Sequence, residues 1–284
     1  MKTNIKNSIL ASLMTDSYCL GSHWIYDEIQ IQDITFDWNK LNAPLAMWHN
    51  GKIKGDFTHY GDQALFLLKF MSENKIFNKD EFYFFWKEKM SNYKGYIDGS
   101  TRDALENIGA SSNDLSICGR IAPLLLEDNT KEKFLQNVAA FVSLTHNSKL
   151  AKSASRFFAE LLWLSLENQD IQKNIQDIKS SYPMLLNWIN EGVATKDKDT
   201  FKTIRAFGPA CGIDGGFAGV IHLLSLDDDF KNILIKNAKA GGDSSARGMV
   251  VAMILATKKN IQLPKEWEEN LNKLPEINKY LQEF

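Results

Sequence analysis

One apolar segment, residues 249–256, restricts the folds open to this chain more than any other feature. Positions on one helical face, at the i, i+3, i+4 spacing, are apolar: Ala246, Met249, Val250, Met253 and Ile254. Three more apolar residues cover the remaining faces: Val251, Ala252 and Leu255. Because a helix that is apolar all round is stable only when other elements surround it, this segment predicts a central, buried helix.

The residues before this helix, 240–248, have the sequence Ala-Gly-Gly-Asp-Ser-Ser-Ala-Arg-Gly. The two glycines allow turn conformations or the close approach of another group. Asp243 and the two serines meet the free N–H groups and positive dipole end of the helix, an end that favours anions. Two interpretations stay open: an ordinary capped core helix, or a helix start that carries function.

Elsewhere, apolar segments of about ten residues or more recur with helical spacing, and strand signals are nearly absent. The sequence therefore predicts an all-α, multi-helix fold. No linker, repeat or low-complexity segment divides the chain, so we expect a single domain over residues 1–284. Residues 257–284, which contain Pro264 and Pro275, are expected to form a peripheral helical tail.

The composition is that of a globular protein, with 284 residues, 44% hydrophobic and 24% charged. A net charge of -2 gives no general attraction to nucleic acid or to anionic membranes, so neither is an expected partner. The three cysteines form no CxxC pair, which favours reduced thiols over zinc or disulfides. Residues 1–20 lack the features of a signal peptide, and no apolar run reaches membrane-spanning length. We therefore expect a cytoplasmic protein.

Four acidic residues stand at comparable places, each in a polar or glycine-rich turn next to an apolar helix: Asp16, Asp62, Asp214 and Asp243. Asp16 continues the apolar face of its helix and so points inward, where it either bonds a neighbouring backbone or belongs to a polar site. If these turns face one cleft, they suit metal ions, sugar hydroxyls and a phosphate-bearing ligand.

Further polar groups surround these acids in the sequence. His59, three residues before Asp62, is either a helix cap or half of an acid/base or metal-ligand pair. Residues 20–27 form either a pocket wall or a surface loop pinned by Trp24. Arg120 is either a phosphate or carboxylate clamp or a surface side chain, and the glycine-punctuated loop 93–103, which contains Asp98, suits stacking on a flat ligand.

The order of these motifs resembles the ADP-ribosylglycohydrolase family over about residues 5–256. Five segments carry the resemblance: Asp16 followed by Gly-Ser-His-Trp-Ile-Tyr-Asp at 21–27, His-Tyr-Gly-Asp-Gln-Ala at 59–64, Gly-Arg-Ile-Ala-Pro at 119–123, Thr-His at 145–146, and Gly-Gly-Asp-Ser-Ser-Ala-Arg-Gly at 241–248. The resemblance implies an all-α fold and hydrolysis of the glycosidic bond between ADP-ribose and arginine, serine or a small molecule, with two magnesium or manganese ions.

The sequence departs from the pattern that metal-dependent members of this family show. Where they have Thr-Asp-Asp-Thr, this chain has His-Tyr-Gly-Asp at 59–62, and where they have Gly-Asp-Thr-Asp-Thr it has Gly-Asp-Ser-Ser-Ala at 242–246. Asp62 and Asp243 are the carboxylates left for a metal, whereas magnesium requires several oxygen ligands. The sequences of these motifs resemble those of a divergent branch of the family that includes lens-crystallin-like members.

The leading hypothesis is a hydrolase of an N- or O-glycoside of ADP-ribose, free or attached to a protein, in which Asp62 or Asp243 activates water. The catalytic candidates are Asp62, Asp243 and His59. The candidate substrate contacts, for ribose hydroxyls, phosphate or the remaining ligand, are Asp16, His23, Tyr60, Asp98, Arg120, Asp214, Ser245 and Arg247. Two alternatives remain: a catalytically silent nucleotide-binding or structural protein, and a hydrolase of an unrelated metabolite that uses His59 and Tyr60 in place of metal.

Overall fold

The computed structural model describes residues 2–106, 109–127 and 130–284. The α-helices of these residues are α1 (Lys2–Cys19), α2 (Glu28–Gln32), α3 (His59–Asn74), α4 (Lys79–Ser91), α5 (Gly99–Glu106), α6 (Lys131–Thr145), α7 (Lys149–Glu167), α8 (Ile171–Ile178), α9 (Leu186–Ala194), α10 (Thr200–Phe207), α11 (Ile213–Ser225), α12 (Phe230–Lys239), α13 (Ser244–Leu255), α14 (Lys265–Glu268) and α15 (Leu274–Gln282). Short 3-10 helices occupy Met47–His49, Leu115–Arg120, Ala122–Leu126 and Lys179–Ser181. No strand is formed in the described ranges, so the all-α prediction is confirmed.

Helix α13 is the central element that the sequence predicted. Every residue from Ser244 to Leu255 is buried. It packs against α1, α11, α12 and the Leu115–Arg120 3-10 helix, and with them it forms the middle of one continuous apolar core. Helices α14 and α15 follow as the short tail expected for residues 257–284. No helix within the described residues is long and apolar enough to cross a bilayer.

The loop before α13 is held against the loop that follows α1. The Trp24 N–H donates to the Gly242 carbonyl at 2.7 Å, and the Gly242 N–H donates to the Ile25 carbonyl at 2.8 Å. Gly241 and Gly242 have φ values of 68° and 58°, in the left-handed region that favours glycine. A Cβ at position 242 would lie 2.2 Å from the Pro209 carbonyl oxygen. This close approach explains the glycine pair and brings the two loops to one place.

Candidate functional site

The starts of α3 and α13 meet at a buried contact between Tyr60 and Asp243. The Tyr60 hydroxyl donates to Asp243 Oδ2 at 3.2 Å, and both side chains are almost completely buried. Asp243 also caps α13, because its Oδ1 accepts the Ala246 N–H at 3.1 Å. His23 Nδ1 lies 3.5 Å from the same Oδ1. Asp243 therefore caps α13, as the first interpretation of this turn expected, and it also lies at the centre of a cluster of polar side chains.

Asp243 and Asp114 are two acidic groups whose pKa values are both raised. Burial raises the pKa of Asp243, although the Ala246 N–H, Cys211, Arg247 and Tyr60 oppose the rise. Burial of its carboxyl group and then the negative charge of Asp243 raise the pKa of Asp114 to about 7. Asp114 is therefore the carboxyl of the two that burial and the neighbouring charge keep protonated up to a pH of about 7.

Asp114 is a candidate that sequence reasoning missed. It precedes the Leu115–Arg120 3-10 helix and caps it by accepting the Ser116 N–H at 3.0 Å. An isolated antiparallel bridge pairs it with Gly212, so the chain around Cys211 lies beside it. The sequence signal was weak: an acid before a serine two positions on, in a segment without helical periodicity.

His59 and Asp98 form a second polar pair near Tyr60. His59 Nε2 lies 3.1 Å from Asp98 Oδ2, and the rings of His59 and Tyr60 are 4.2 Å apart. Asp98 also accepts the Ser100 hydroxyl and the Thr101 N–H, each at 2.7 Å. Burial opposes its ionisation, but the hydrogen bond and charge of His59, with Arg120 and Ser100, hold the pKa of Asp98 well below its usual range.

Arg120 and Arg247 are both fully buried, and protein groups occupy much of their hydrogen-bonding capacity. Arg120 donates to Gln63 Oε1 at 2.9 Å and to Ser116 Oγ at 2.7 Å, and it lies 5.1 Å from the centre of the Tyr60 ring. The donors of Arg247 go to three oxygen atoms: Asn237 Oδ1 at 3.1 Å, the Pro209 carbonyl at 3.3 Å and the Gly241 carbonyl at 2.6 Å. The geometry makes both arginines supports of the cluster.

Asp16 takes the backbone-bonding alternative that the sequence left open. Its two oxygens accept the Thr58 hydroxyl at 2.6 Å and the Thr58 N–H at 2.8 Å, which fixes the start of α3. Burial raises the pKa of Asp16 to about 7, against the Thr58 hydrogen bonds. Ser245 connects this helix to the cluster, since its hydroxyl donates to the Asp16 carbonyl at 3.3 Å and its N–H to His23 Nδ1 at 3.4 Å.

Asp62 and Asp214 are placed apart from Asp243. Asp62 lies 2.6 Å from Lys52 Nζ, accepts the Tyr93 hydroxyl at 2.5 Å, and lines another cleft of about 740 Å³. Asp214 is exposed on the first turn of α11. The four acids thus do not share one set of contacts. Asp62 bonds Lys52 and Tyr93, although its charge still raises the pKa of Asp16, and Asp214 is exposed.

Aromatic rings form one wall of the cluster. Trp24, at a left-handed φ of 64°, lies 4.7 Å from His23 and 5.2 Å from His49, measured between ring centres. Tyr96 meets the Trp24 ring edge-on at 5.0 Å. Residues 23 and 24 thus pack on other aromatic rings, one of which, Tyr96, belongs to the loop 93–103 that the sequence singled out for stacking, whereas His49 comes from a loop that carried no distinct sequence signal.

A family model described as ADP-ribosylglycohydrolase matches residues 1–284. The chain belongs to the ADP-ribosylglycohydrolase family. A solved structure titled "ADP-ribosylglycohydrolase-related protein complex" has the same fold, with a TM-score of 0.71 and 16% identity, over 99% of this chain and 96% of that one.

Two curated relatives come from Tripedalia cystophora. Crystallin J1A is 22% identical over 100% of this chain and 96% of its own length, and Crystallin J1B is 22% identical over 94% and 91%. These similarities agree with the divergent, crystallin-like branch that the motifs resemble.

The two-metal site that the ADP-ribosylglycohydrolase resemblance implies does not fit the residues present. Tyr60 and Gly61 stand where metal-dependent members have two aspartates, and the Tyr60 phenol is bonded to Asp243. A Cβ at position 61 would lie 2.3 Å from Asp16 Oδ2, so the Asp16 carboxylate fills the space that a side chain there requires. In the three described ranges, no three His, Cys, Asp or Glu side chains are grouped to hold an ion.

Proposed function

We propose that this ADP-ribosylglycohydrolase-family protein hydrolyses an N- or O-glycosidic bond to ADP-ribose or a related ribosyl compound, with Asp114 and Asp243 as its acid and base. The supporting observation is that Asp243, which accepts the Tyr60 hydroxyl, lies near enough to Asp114 for its charge to raise the pKa of that second buried carboxyl. Glycoside hydrolysis needs one carboxyl that is protonated and one that is ionised, and neighbouring acids with raised pKa values meet this need near neutral pH.

The hydrogen bonds of the two carboxyls suggest how the roles divide. Asp243 accepts the Ala246 N–H and the Tyr60 hydroxyl, which favour its ionised form. Asp114 accepts the Ser116 N–H and feels the charge of Asp243, so it retains a proton more readily. We assign Asp114 as the acid that protonates the leaving atom and Asp243 as the base that takes a proton from the attacking water.

The substrate class rests on the family and remains part of the proposal. An ADP-ribose-like small molecule or an ADP-ribosylated protein is the expected partner. Tyr60, His23 and Ser245 border the acid pair and are proposed as substrate contacts, with His59 and Asp98 beyond Tyr60. Arg120, Arg247 and Asp16 are proposed as positioning residues, because protein groups occupy their side chains.

A second candidate function is a catalytically silent binding or structural protein. Two observations favour it: the replacement of metal-ligand positions by Tyr60 and Gly61, and full-length similarity to two proteins named crystallins. Under this proposal the cluster around Asp243 binds an ADP-ribose-like ligand, or only stabilises the core, and no bond is cleaved.

Turnover of defined substrates separates the two candidates. The purified protein is incubated with ADP-ribosylated arginine and serine peptides, O-acetyl-ADP-ribose and ADP-ribosyl nicotinamide, with and without a chelator, and released ADP-ribose is measured. The hydrolase proposal expects turnover that Asp243→Asn and Asp114→Asn each reduce about 10²-fold or more. Asp197→Asn, on an exposed loop, is the matched control. Absence of turnover on every substrate, or equal turnover in all variants, would contradict it.

Thermal stability measures the silent alternative directly. ADP-ribose at ~100 times its dissociation constant stabilises a binding protein by about 2.7 kcal/mol. A raised melting temperature without turnover supports a binding protein. If ADP-ribose neither raises the melting temperature nor is released from any substrate, a structural role is the conclusion.

A further inference from the structure

Three histidines and a tryptophan form a cluster beside Asp243 that the acid pair does not use. Its members, which we call the imidazole–indole cluster, are His23, Trp24, His49 and His59. The Trp24 ring centre lies 4.7 Å from that of His23, 5.2 Å from His49 and 5.4 Å from His59. All three histidines are at most 4% exposed.

Each member of the cluster carries a buried ring nitrogen without a hydrogen-bond partner among the described residues. These atoms are His23 Nε2, Trp24 Nε1, His49 Nε2 and both ring nitrogens of His59. Buried polar atoms in proteins are nearly always hydrogen-bonded, because leaving them unpaired is costly. Five such atoms on neighbouring rings therefore indicate a place where a ligand supplies missing partners.

Neighbouring contacts fix which of these nitrogens donate. His23 Nδ1 accepts the Ser245 N–H, so the proton of the neutral ring is on Nε2, which is a donor. The Trp24 indole N–H is always a donor. His59 Nε2 lies 3.1 Å from Asp98 Oδ2, so we assign the ring proton to Nε2, and this assignment leaves Nδ1 as an acceptor. The cluster thus offers two donors beside one acceptor.

The cluster also selects against charge. Burial lowers the pKa of His23 well below its usual value and that of His49 to about 3, so both rings are neutral at pH 7. The two nearby carboxylates are already hydrogen-bonded within the protein, Asp98 to Ser100 and Thr101, and Asp243 to the Ala246 N–H and the Tyr60 hydroxyl. A guanidinium group would therefore meet neutral rings and carboxylates whose oxygens already accept hydrogen bonds.

We infer that the imidazole–indole cluster is the leaving-group subsite of this protein, and that it takes an uncharged planar group carrying both a carbonyl and an N–H, as in a pyrimidine base or a carboxamide. The His23 and Trp24 donors bind the carbonyl oxygen, and His59 Nδ1 accepts the N–H. Tyr96 and Trp48, which is 52% exposed, border the cluster with rings on which a planar group can stack. The role of the cluster as a leaving-group subsite rests on the proposed function, but the binding of an uncharged planar group does not.

The test measures whether free leaving groups bind to the intact protein. Calorimetry gives the affinity, and NMR records the tryptophan indole N–H signals. Nicotinamide and uracil are the probes, and methylguanidine is the charged comparison. We expect nicotinamide or uracil to bind, with a shift of the one indole signal that Trp24→Phe removes. Trp24→Phe keeps an aromatic ring but lacks the N–H, and we expect it and His59→Gln to weaken binding about tenfold each, the effect of one lost hydrogen bond.

His222→Asn is the matched control, because His222 is equally buried but bonded between Thr195 and Thr200. The inference is overturned if methylguanidine binds as tightly as nicotinamide and uracil, if neither of these two binds, or if both variants bind them as the unmodified protein does. It is separable from the proposed function: base binding without turnover supports the subsite alone, whereas cleavage of arginine- or serine-linked ADP-ribose without base binding supports hydrolysis and overturns the subsite.

Discussion

Single side chains decide what the buried cluster can do, and Asp114 is the one on which the hydrolytic proposal most depends. Its carboxyl has a pKa of about 7, set by burial and by the charge of Asp243, and this value suits a group that must give up a proton near neutral pH. Asn at this position still caps the 3-10 helix through its side-chain oxygen, so the substitution removes the proton and keeps the fold.

We predict that Asp114→Asn slows hydrolysis of substrates with poor leaving groups by about 10²- to 10⁴-fold. A 4-nitrophenyl leaving group needs no protonation, so its release should change much less. Because the acid form of Asp114 is lost as the pH rises through about 7, activity of the unmodified protein should fall on the alkaline side. Rate profiles between pH 5 and 9 measure this, and equal losses for both substrate types would contradict the assignment.

Asp16 gives a prediction about stability. Its pKa is about 7 in the folded protein and 3.8 ordinarily, so between these values the folded chain holds a proton that the unfolded chain has lost. The free energy of unfolding should therefore decrease as the pH rises through this window, by up to about 4 kcal/mol from this residue. Asp16→Asn should remove this share of the pH dependence, as measured by urea unfolding at pH 4.5 and 7.5. An unchanged dependence would contradict it.

At the scale of elements, the junction between the loops before α13 and after α1 places Asp243 beside His23 and Trp24. The junction depends on backbone contacts that tolerate no Cβ at Gly242. Gly51 offers a comparison, since its φ is also positive, at 88°, but a Cβ there meets nothing within 4 Å.

We predict that Gly242→Ala destabilises the protein by more than the roughly 1–3 kcal/mol that backbone strain alone costs, because the Pro209 oxygen must also move. Gly51→Ala should show the strain alone. Chemical unfolding of both variants measures the difference. If Gly51→Ala proved as destabilising as Gly242→Ala, the close approach at Gly242 would contribute nothing.

The helices were predictable from the sequence, but the partners that their polar side chains meet in the folded protein were not. Apolar periodicity gave the all-α fold and the buried helix at 246–256, because both follow from local spacing. Tyr60 and Asp62 lie two residues apart on α3, about 200° around the helix, so one faces Asp243 and the other faces Lys52. Sequence spacing alone could not show which of the two side chains would meet Asp243. Asp114 was missed because its partner segment, at Gly212, is distant in the chain.

Across the whole molecule, one continuous core extends from α1 to the tail. The central α13 packs on both α1 and α11, so it joins the start of the chain to its second half within this core. This arrangement agrees with the expectation of one domain over residues 1–284.

We predict a single cooperative unfolding transition. Calorimetry and tryptophan fluorescence should report the same midpoint, because Trp24 lies at the junction and Trp267 in the core near α1. Two separated transitions would contradict a single unit.

The contact between Ser245 and Asp16 joins positions 229 residues apart in the chain. During synthesis, therefore, the buried face of α1 is complete almost at once but lacks the helix that covers it until nearly all the protein has left the ribosome. A nascent chain stopped before residue 243 would hold His23 and Tyr60 without Asp243, the carboxylate that both of them meet in the folded protein. The polar cluster around Asp243 can therefore assemble only after α13 has been synthesised.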